Sequence, residues 1–340
     1  MELNSVQRNE NTLSNIKQKL PSTRELGLVI FIILASVFIQ SQNSKFLTIE
    51  NLLDMIKNTS ILAILAVGMM MVLLTGGIDL SVGAVVALSG MSAAVFVRDF
   101  PNMPMIVSVL IGLGVGLISG IMLGLLVSKG KILPIIASLG MMNVYRGFTY
   151  IVGDNAWVSA FQMTNSFKAL STGSLLGINN LIWIALIILV IFFYFLTFTR
   201  TGRRIYAIGS NEAATAITGI NKDRTLITVY ALNGLLAGLA GVLWVSKFAS
   251  AQGDTASGYE MNVIAACVLG GVSVSGGVGK ISGLITGALL FGILNNALPL
   301  LNVSTFWEDA IQGLVILFAI ILNVMMKRNS DKNALKRREI

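Results

Sequence analysis

The chain has 340 residues, of which 55% are hydrophobic and 12% are charged. A soluble globular protein carries about 25% charged residues, so this composition indicates that lipid is the main solvent. There is no His and only one Cys, Cys267, which excludes intrachain disulfides, the usual zinc ligand sets and His-based catalytic triads. The net charge of +8 arises from basic residues at the ends of apolar segments, so we expect contacts with membrane lipid and no nucleic-acid partner.

Ten apolar segments follow one another along the chain, and a membrane-crossing helix needs about 20 such residues. In chain order the predicted spans are Leu26–Ser41, Asn58–Thr75, Leu80–Val97, Met105–Val127, Ile132–Val152, Leu181–Phe198, Thr225–Ser246, Glu260–Val274, Ile281–Leu301 and Phe306–Met326. The sequence therefore predicts an all-α polytopic membrane protein. Its transmembrane domain is expected over residues 26–326, between an N-terminal tail (1–25) and a basic C-terminal tail (327–340).

The first segment has the charge layout of a signal peptide, because Lys17, Lys19 and Arg24 precede its apolar core. No small-residue cleavage pair of the A-x-A type follows it, so we expect an uncleaved anchor.

The basic residues predict the orientation. With a cytoplasmic N-terminus and ten crossings, eighteen of the 24 Lys and Arg fall on the cytoplasmic side. The other six are Lys45, Lys57, Arg98, Arg146, Lys168 and Lys247. This asymmetry follows the positive-inside rule, so both termini are expected in the cytoplasm.

The fourth segment carries a glycine on one helical face at every fourth residue: Gly112, Gly116, Gly120 and Gly124. Small residues at this spacing allow membrane helices to approach closely. We therefore expect this face to hold the bundle together rather than to form a ligand groove.

Two turns expected on the cytoplasmic side interrupt the apolar pattern with paired glycines. The first contains Gly76, Gly77 and Asp79, and the second begins at Gly270 and Gly271. Asp79 is interpreted as the N-cap of the third span, with a gating role as the alternative. These five residues and Arg146 in the fifth span are candidates for a gate or a transport pathway.

The second turn makes the eighth segment short, since about fifteen residues reach only some 22 Å. That helix is expected to end within the membrane or to pack against an unwound neighbour. Gly279-Lys280 invites comparison with a phosphate-binding loop. However, Val274 stands where that motif needs Gly and Ile281 where it needs Ser or Thr, so ATP binding by this device is excluded.

Arg146, in the outer part of the fifth span, is expected to snorkel to the interface or, alternatively, to contact a polar solute. No Asp or Glu is predicted at mid-span, which disfavours an ion-coupled carrier. The outer loop 153–180 carries Trp157, Phe161, Met163 and Phe167 among polar residues. It is interpreted as an amphipathic segment on the interface or as a landing surface for an external partner.

The segment 199–224 is the only sizeable cytoplasmic loop, and its basic residues are Arg200, Arg203, Arg204, Lys222 and Arg224. Within it, Glu212–Thr218 is predicted to form a short helix. Asn211 is its cap, Glu212 suits the first turn, and Gly219 suits the stop. Small Ala213 and Ala214 would let a cleft on another protein close over this helix.

Several blocks, in order over nearly the whole chain, resemble the permease subunits of sugar-importing ATP-binding-cassette (ABC) systems, the ribose, arabinose, galactose and rhamnose group. They are Thr75–Gly83, Ala137–Gly140 with Arg146-Gly147, Gly202-Arg203, Tyr206–Ala214 with Gly219-Ile220, Gly258–Glu260, Ile264–Gly271 and Gly276–Gly279. One departure concerns the Glu-Ala-Ala signature of the broader importer group, which places Gly six residues after Glu. Here Gly219 follows Glu212 by seven, so that motif's contacts do not transfer literally.

The resemblance implies an importer permease of the vitamin B12 permease type in a bacterial plasma membrane, with no catalytic, cofactor or metal site of its own. Its implied partners are a cassette ATPase subunit, often with two fused nucleotide-binding domains, a periplasmic or lipid-anchored sugar-binding protein, and a second permease copy or a paralogue. Residues Asn211–Ile220 would be the helix that couples it to the ATPase, with Arg203 on its basic flank.

The implied substrate is a pentose or deoxyhexose such as ribose, arabinose or rhamnose. A furanosyl signal molecule of the autoinducer-2 type is the main alternative. A secondary carrier and a membrane-embedded enzyme are the rival classes.

Overall fold

The computed structural model describes residues 23–304, 307–308, 310–314, 317 and 321. The described elements are α1 (Thr23–Gln42), α2 (Ile49–Leu74), α3 (Val82–Asp99), α4 (Met105–Ser128), α5 (Pro134–Val152), a 3₁₀ turn (Ala160–Gln162), α6 (Asn165–Thr172), β1 (Ser174–Leu175), β2 (Ile178–Asn179), α7 (Asn180–Phe198), α8 (Arg200–Ser210), α9 (Glu212–Ile217), α10 (Lys222–Phe248), α11 (Tyr259–Leu269) and α12 (Ile281–Leu300). The two strands pair antiparallel as a small hairpin, with Ser174 opposite Asn179.

The all-α polytopic architecture is confirmed. Nine of the ten predicted spans coincide with a described helix, and the tenth, Phe306–Met326, lies largely outside the described residues. Among the described helices, six (α2, α3, α4, α7, α10 and α12) are long and apolar enough to cross a membrane.

Polar side chains cap the N-termini of several of these helices, and α2 begins at Ile49, nine residues before the predicted start of that span. The Thr48 hydroxyl accepts the Asn51 N–H at the start of α2, and the Asn179 side chain accepts the Leu181 N–H at the start of α7. Asn221 begins α10 in the same way by accepting the Arg224 N–H. Each contact satisfies one of the backbone donors that a helix N-terminus leaves unpaired.

The core lies around α2 and α10. Every residue of α2 from Thr59 to Leu74 is buried, and α10 packs against α2, α3 and α4. By contrast, α7 buries only a few of its apolar side chains, as expected of a helix that faces lipid.

The glycine face of α4 packs directly on α10. A Cβ atom added at Gly116 would lie 2.3 Å from the Gly234 carbonyl oxygen, and one at Gly120 would lie 2.2 Å from the Tyr230 carbonyl oxygen. The two backbones are therefore in contact, which confirms the predicted packing role of this face.

Two further expectations can be compared with the structure. The short eighth segment is confirmed, because α11 has only 11 residues and is about 16 Å long. In the 153–180 loop, Phe167 and Met163 are buried in the protein, whereas Trp157 and Phe161 are exposed. Only the latter two remain available to the interface or to a partner.

Candidate functional site

The segment 199–224 forms two consecutive helices, α8 and α9, at one end of the bundle. The Asn211 Oδ1 atom accepts the Ala214 N–H at 3.0 Å and so begins α9. Gly219 follows the helix with φ = +74°, the left-handed conformation that glycine adopts without strain. The predicted cap and stop are both confirmed, and the helix ends at Ile217, one residue earlier than predicted.

The α9 helix presents a small apolar surface to solvent. Ala213, Ala214 and Glu212 are exposed, and Ile217 is 88% exposed. On the opposite face, Thr215 is buried and its hydroxyl donates to the Ala207 carbonyl oxygen at 2.9 Å, which holds α9 against α8. Ile217 was missed by sequence reasoning, although an isoleucine in an otherwise polar loop is a signal that could have identified it.

Charged side chains surround this surface. Arg203 and Arg204 are exposed on α8, and Arg203 Nη1 donates to the Phe198 carbonyl oxygen at 3.2 Å. Glu212 forms an ion pair with Lys222 at the start of α10.

A second ion pair ties α10 to the connection between α4 and α5. Asp223 Oδ2 lies 2.9 Å from Lys129 Nζ, and Asp223 Oδ1 lies 3.6 Å from Lys131 Nζ. The lysines of this connection therefore hold the start of α10 in place, although such exposed pairs contribute little stability.

The end of α8 meets both glycine turns in direct backbone contact, which we call the junction (Leu74–Gly76, Gly209–Ser210 and Gly276–Gly277). The Gly277 N–H donates to the Leu74 carbonyl oxygen at 2.9 Å. A Cβ atom added at Gly209 would lie only 1.8 Å from the Leu74 oxygen and 2.6 Å from the Gly277 nitrogen. The sequence predicted each glycine turn separately, but no sequence pattern predicted that the two turns contact each other and the end of α8.

A second contact reinforces the junction. The Tyr206 hydroxyl on α8 donates to the Gly279 carbonyl oxygen at 2.9 Å. Burial raises the pKa of Tyr206, so the phenol remains neutral and able to donate at physiological pH. Two points on α8 thus hold the turn that leads into α12.

Asp79 is not the N-cap of the third span, and that prediction is wrong. The cap position belongs to Ser81, and Asp79 Oδ1 accepts both the Ser81 N–H (2.8 Å) and its hydroxyl (2.6 Å). Asp79 Oδ2 accepts from Asn233 Nδ2 of α10 at 2.7 Å. Asn233 stands near the middle of α10, so this carboxylate lies within the bundle, and the expectation that no acidic residue lies there is also wrong.

The remaining glycines of the two turns pack against neighbouring helices. A Cβ atom at Gly77 would lie 2.7 Å from the Tyr230 hydroxyl, and one at Gly270 would lie 2.4 Å from the Gly283 carbonyl oxygen. Gly271 ends α11 with a positive φ of 89°. Of the candidate gate residues in the two turns, the structure places Gly76 at the junction and Asp79 deeper in the bundle. Gly77 lies against α10 and Gly270 against α12.

Arg146 lies at the opposite end of the bundle, and its expected snorkelling is wrong. Its Nη1 atom donates to the carbonyl oxygens of Gly253 (2.9 Å) and Thr255 (2.8 Å). The guanidinium therefore fastens the 249–258 connection onto α5. Within the described residues, no group of three or more Cys, Asp or Glu side chains is arranged to hold a metal ion.

The long apolar helices define a helical, multi-span membrane protein. Residues 51–320 match the family described as the permease component of a branched-chain amino acid transport system, and the chain belongs to this permease family.

Several curated relatives align over most of the chain. The ribose import permease protein RbsC of Escherichia coli K12 is 42% identical over 299 residues, which cover 87% of this chain and 92% of the relative. The corresponding protein of Haemophilus influenzae is 39% identical over 319 residues, 93% of this chain and 97% of the relative. The L-arabinose ABC transporter permease protein AraH of Azospirillum brasilense is 35% identical over 314 residues, 91% of this chain and 90% of the relative. No solved structure matches the chain.

Proposed function

We propose that this protein is the membrane-spanning permease subunit of a bacterial ABC importer for a monosaccharide, with ribose and arabinose the first substrates to test. The names of its relatives support this class and these two sugars. We also propose that the protein lies in the plasma membrane with both termini in the cytoplasm, and that a separate cassette subunit hydrolyses ATP.

The observation that carries the proposal is the geometry of α9. A capped, six-residue helix exposes Ala213, Ala214 and Ile217 beside the ion pair of Glu212 and Lys222, and its far side is held by Thr215 against α8. Such a surface suits insertion into a cleft on the ATPase subunit, with apolar contacts at the centre and charges at the rim.

The junction supplies the route by which movement of α9 reaches the bundle. Because Gly209 touches Leu74 and Gly277 through backbone atoms alone, no side chain can rotate to absorb a displacement of α8. The Tyr206 contact with Gly279 adds a second attachment to the same turn. When the ATPase pair closes, α8 and α9 would therefore carry the ends of α2 and α12 with them.

The opposite end of the bundle is the proposed docking side for the sugar-binding protein. Trp157 is 64% exposed and Phe161 is 89% exposed there, and Arg146 holds the neighbouring 249–258 connection. A second permease copy or a paralogue would complete the transporter.

The buried carboxylate of Asp79 favours a second candidate, an ion-coupled carrier, because such carriers place acidic residues within the bundle. Its three hydrogen bonds to Ser81 and Asn233 also suit a purely structural role. The ABC importer and the ion-coupled carrier differ in their energy source. Sugar uptake driven by a proton gradient in the absence of ATP would therefore support the carrier.

The test of the proposed function uses the permease purified with its cassette ATPase and binding protein and reconstituted into liposomes. We expect uptake of ribose or arabinose only with ATP and the binding protein. Calorimetry of the binding protein with ribose, arabinose, rhamnose and the furanosyl signal molecule identifies the substrate. Uptake of none of these with ATP would refute the proposal.

The coupling role of α9 is tested by Ile217→Glu. This side chain makes little contact with the rest of the chain, so the variant should insert normally but should no longer co-purify with the ATPase. Phe161→Glu is the matched control, because Phe161 is equally exposed at the opposite end of the bundle. Wild-type co-purification of the Ile217 variant would refute the assignment.

A further inference from the structure

A cavity of about 400 Å³ opens at the end of the bundle opposite α8 and α9. The polar side chains of its lining are Asn51, Asn58, Thr59, Tyr259, Asn295 and Asn296. They come from the first part of α2, the start of α11 and the last part of α12. The volume lies within the range of about 300–1,000 Å³ that is typical of small-molecule sites.

Four asparagines in one cavity need a physical explanation, because polar side chains are costly within a membrane and face a protein interior or water. Two of them satisfy each other, since Asn51 and Asn296 exchange amide hydrogen bonds at 3.0 and 2.9 Å. Asn295 Oδ1 accepts from Gln312 at 2.8 Å, and its amino group has no hydrogen-bond partner among the residues that the structure describes. Asn58 is exposed, and within the described residues its side chain has no hydrogen-bond partner.

We propose that this asparagine cavity is where the permease contacts the transported molecule, and that it accepts a neutral polyhydroxylated solute. This inference rests on the proposed function and names the residues that would receive the sugar. Each sugar hydroxyl both donates and accepts a hydrogen bond, and each asparagine amide offers the complementary pair of groups. The lining thus matches the chemistry of a monosaccharide.

The described lining of the cavity carries no charged side chain, which disfavours the binding of an amino acid. No Asp, Glu, Lys or Arg is among the described lining residues. Lys57 and Asp54 are on the same helix, but they pair with each other and do not line the cavity. An amino acid would bring a carboxylate and an ammonium group into a site without counter-charges, at a high desolvation cost.

The test is Asn58→Leu, which keeps the branched shape and the number of heavy atoms of the side chain and removes the amide. In the reconstituted transporter with ribose and arabinose as probes, we expect uptake to fall about fivefold to tenfold, the effect of one lost hydrogen bond to the solute. Binding-protein-stimulated ATP hydrolysis should stay at the wild-type rate, and Asn58→Gln should recover part of the uptake. Asn143→Leu on α5, another exposed asparagine outside the cavity, should have no effect.

Wild-type uptake by Asn58→Leu would overturn the inference while leaving the proposed function intact. A matched loss of uptake and ATP hydrolysis would also overturn it, since that result indicates a structural role. If the wild-type transporter imports neither sugar, the proposed function fails and the inference fails with it.

Cysteine labelling gives a second measurement that needs no transport. Asn58→Cys should react with a membrane-impermeant maleimide added on the binding-protein side. The parent chain should not react, because its single cysteine, Cys267, is completely buried. Failure of Asn58→Cys to label would refute an opening of the cavity to that side.

Discussion

Gly209→Ala is the most direct perturbation of the junction, because the new methyl group has no space. Its carbon would lie 1.8 Å from the Leu74 carbonyl oxygen and 2.6 Å from the Gly277 nitrogen, whereas real Cβ contacts stay beyond 3.0 Å. Both neighbours are backbone atoms, so relief requires α8 to move away from the ends of α2 and of the 270–280 turn.

The cost follows from three terms. Overpacking of a close contact costs about 1–3 kcal/mol. Loss of the hydrogen bond from Gly277 to Leu74 costs about 0.5–1.5 kcal/mol. Alanine is favoured over glycine within a helix by about 0.8–1.0 kcal/mol, which offsets part of the loss. The net destabilisation is therefore about 0.5–3.7 kcal/mol, and it arises entirely from contacts at the junction.

The assay compares thermal unfolding of the purified permease with ATP-driven sugar uptake per assembled transporter. We expect Gly209→Ala to lower the unfolding temperature and to reduce uptake, with ATP hydrolysis less affected than transport. Gly140→Ala on α5 is the control, because no atom lies within 4 Å of its added Cβ and its helix should be unaffected or slightly stabilised. Unfolding and uptake at wild-type values in Gly209→Ala would refute the reasoning about the junction.

Three further predictions concern other parts of the molecule. Gly219→Val should impair transport more than Glu212→Lys, since left-handed backbone strain costs about 1–3 kcal/mol and an exposed ion pair about 0–1 kcal/mol; equal uptake rates would contradict this order. Asp79→Leu should strongly lower the thermal unfolding temperature, because it leaves the buried donors of Ser81 and Asn233 unpaired. Asp79→Asn should lower it only slightly, because its amide oxygen can still accept from Ser81. If the Asn233 amide rotates by 180°, its oxygen can accept from the new amide nitrogen. Cysteines at Lys168 and Ser210 should label from opposite sides of the membrane, and labelling from one side would overturn the topology.

Features that depend on neighbouring residues could be predicted from the sequence. The apolar runs predicted nine helices, because a span needs a long apolar segment wherever it packs. Their bounds agree to within a few residues except that α2 begins earlier, at Ile49 rather than Asn58, and α11 ends earlier, at Leu269 rather than Val274. The cap at Asn211 and the stop at Gly219 are equally local, since each satisfies backbone groups within one helical turn. The glycine face of α4 was also readable, because its four-residue period defines one side of a helix.

Features that join distant parts of the chain were not predictable in the same way. The carboxylate of Asp79 accepts a hydrogen bond from Asn233, which lies on a helix more than a hundred residues later in the chain. It was predicted to cap a helix at a turn, and the structure places it within the bundle. Arg146 was expected at a lipid interface, but its guanidinium donates hydrogen bonds to two backbone carbonyl oxygens of the 249–258 connection. In both cases the local pattern supplied a polar residue near a helix end, and only the tertiary packing determined its partner.

The junction and the asparagine cavity are connected by the same two helices. The α2 helix has Asn58 in its first half at the cavity and Leu74 at its last residue in the junction. The α12 helix begins directly after Gly279, which Tyr206 holds, and carries Asn295 and Asn296 near its other end. These helices pack against each other along their length, where Gly292 lies against Thr59. With 26 residues, α2 is about 39 Å long, so a tilt of its junction end shifts its cavity end in the opposite direction. Within the proposed function, closure of the ATPase pair would therefore change the spacing of the asparagines without any side chain having to relay the movement.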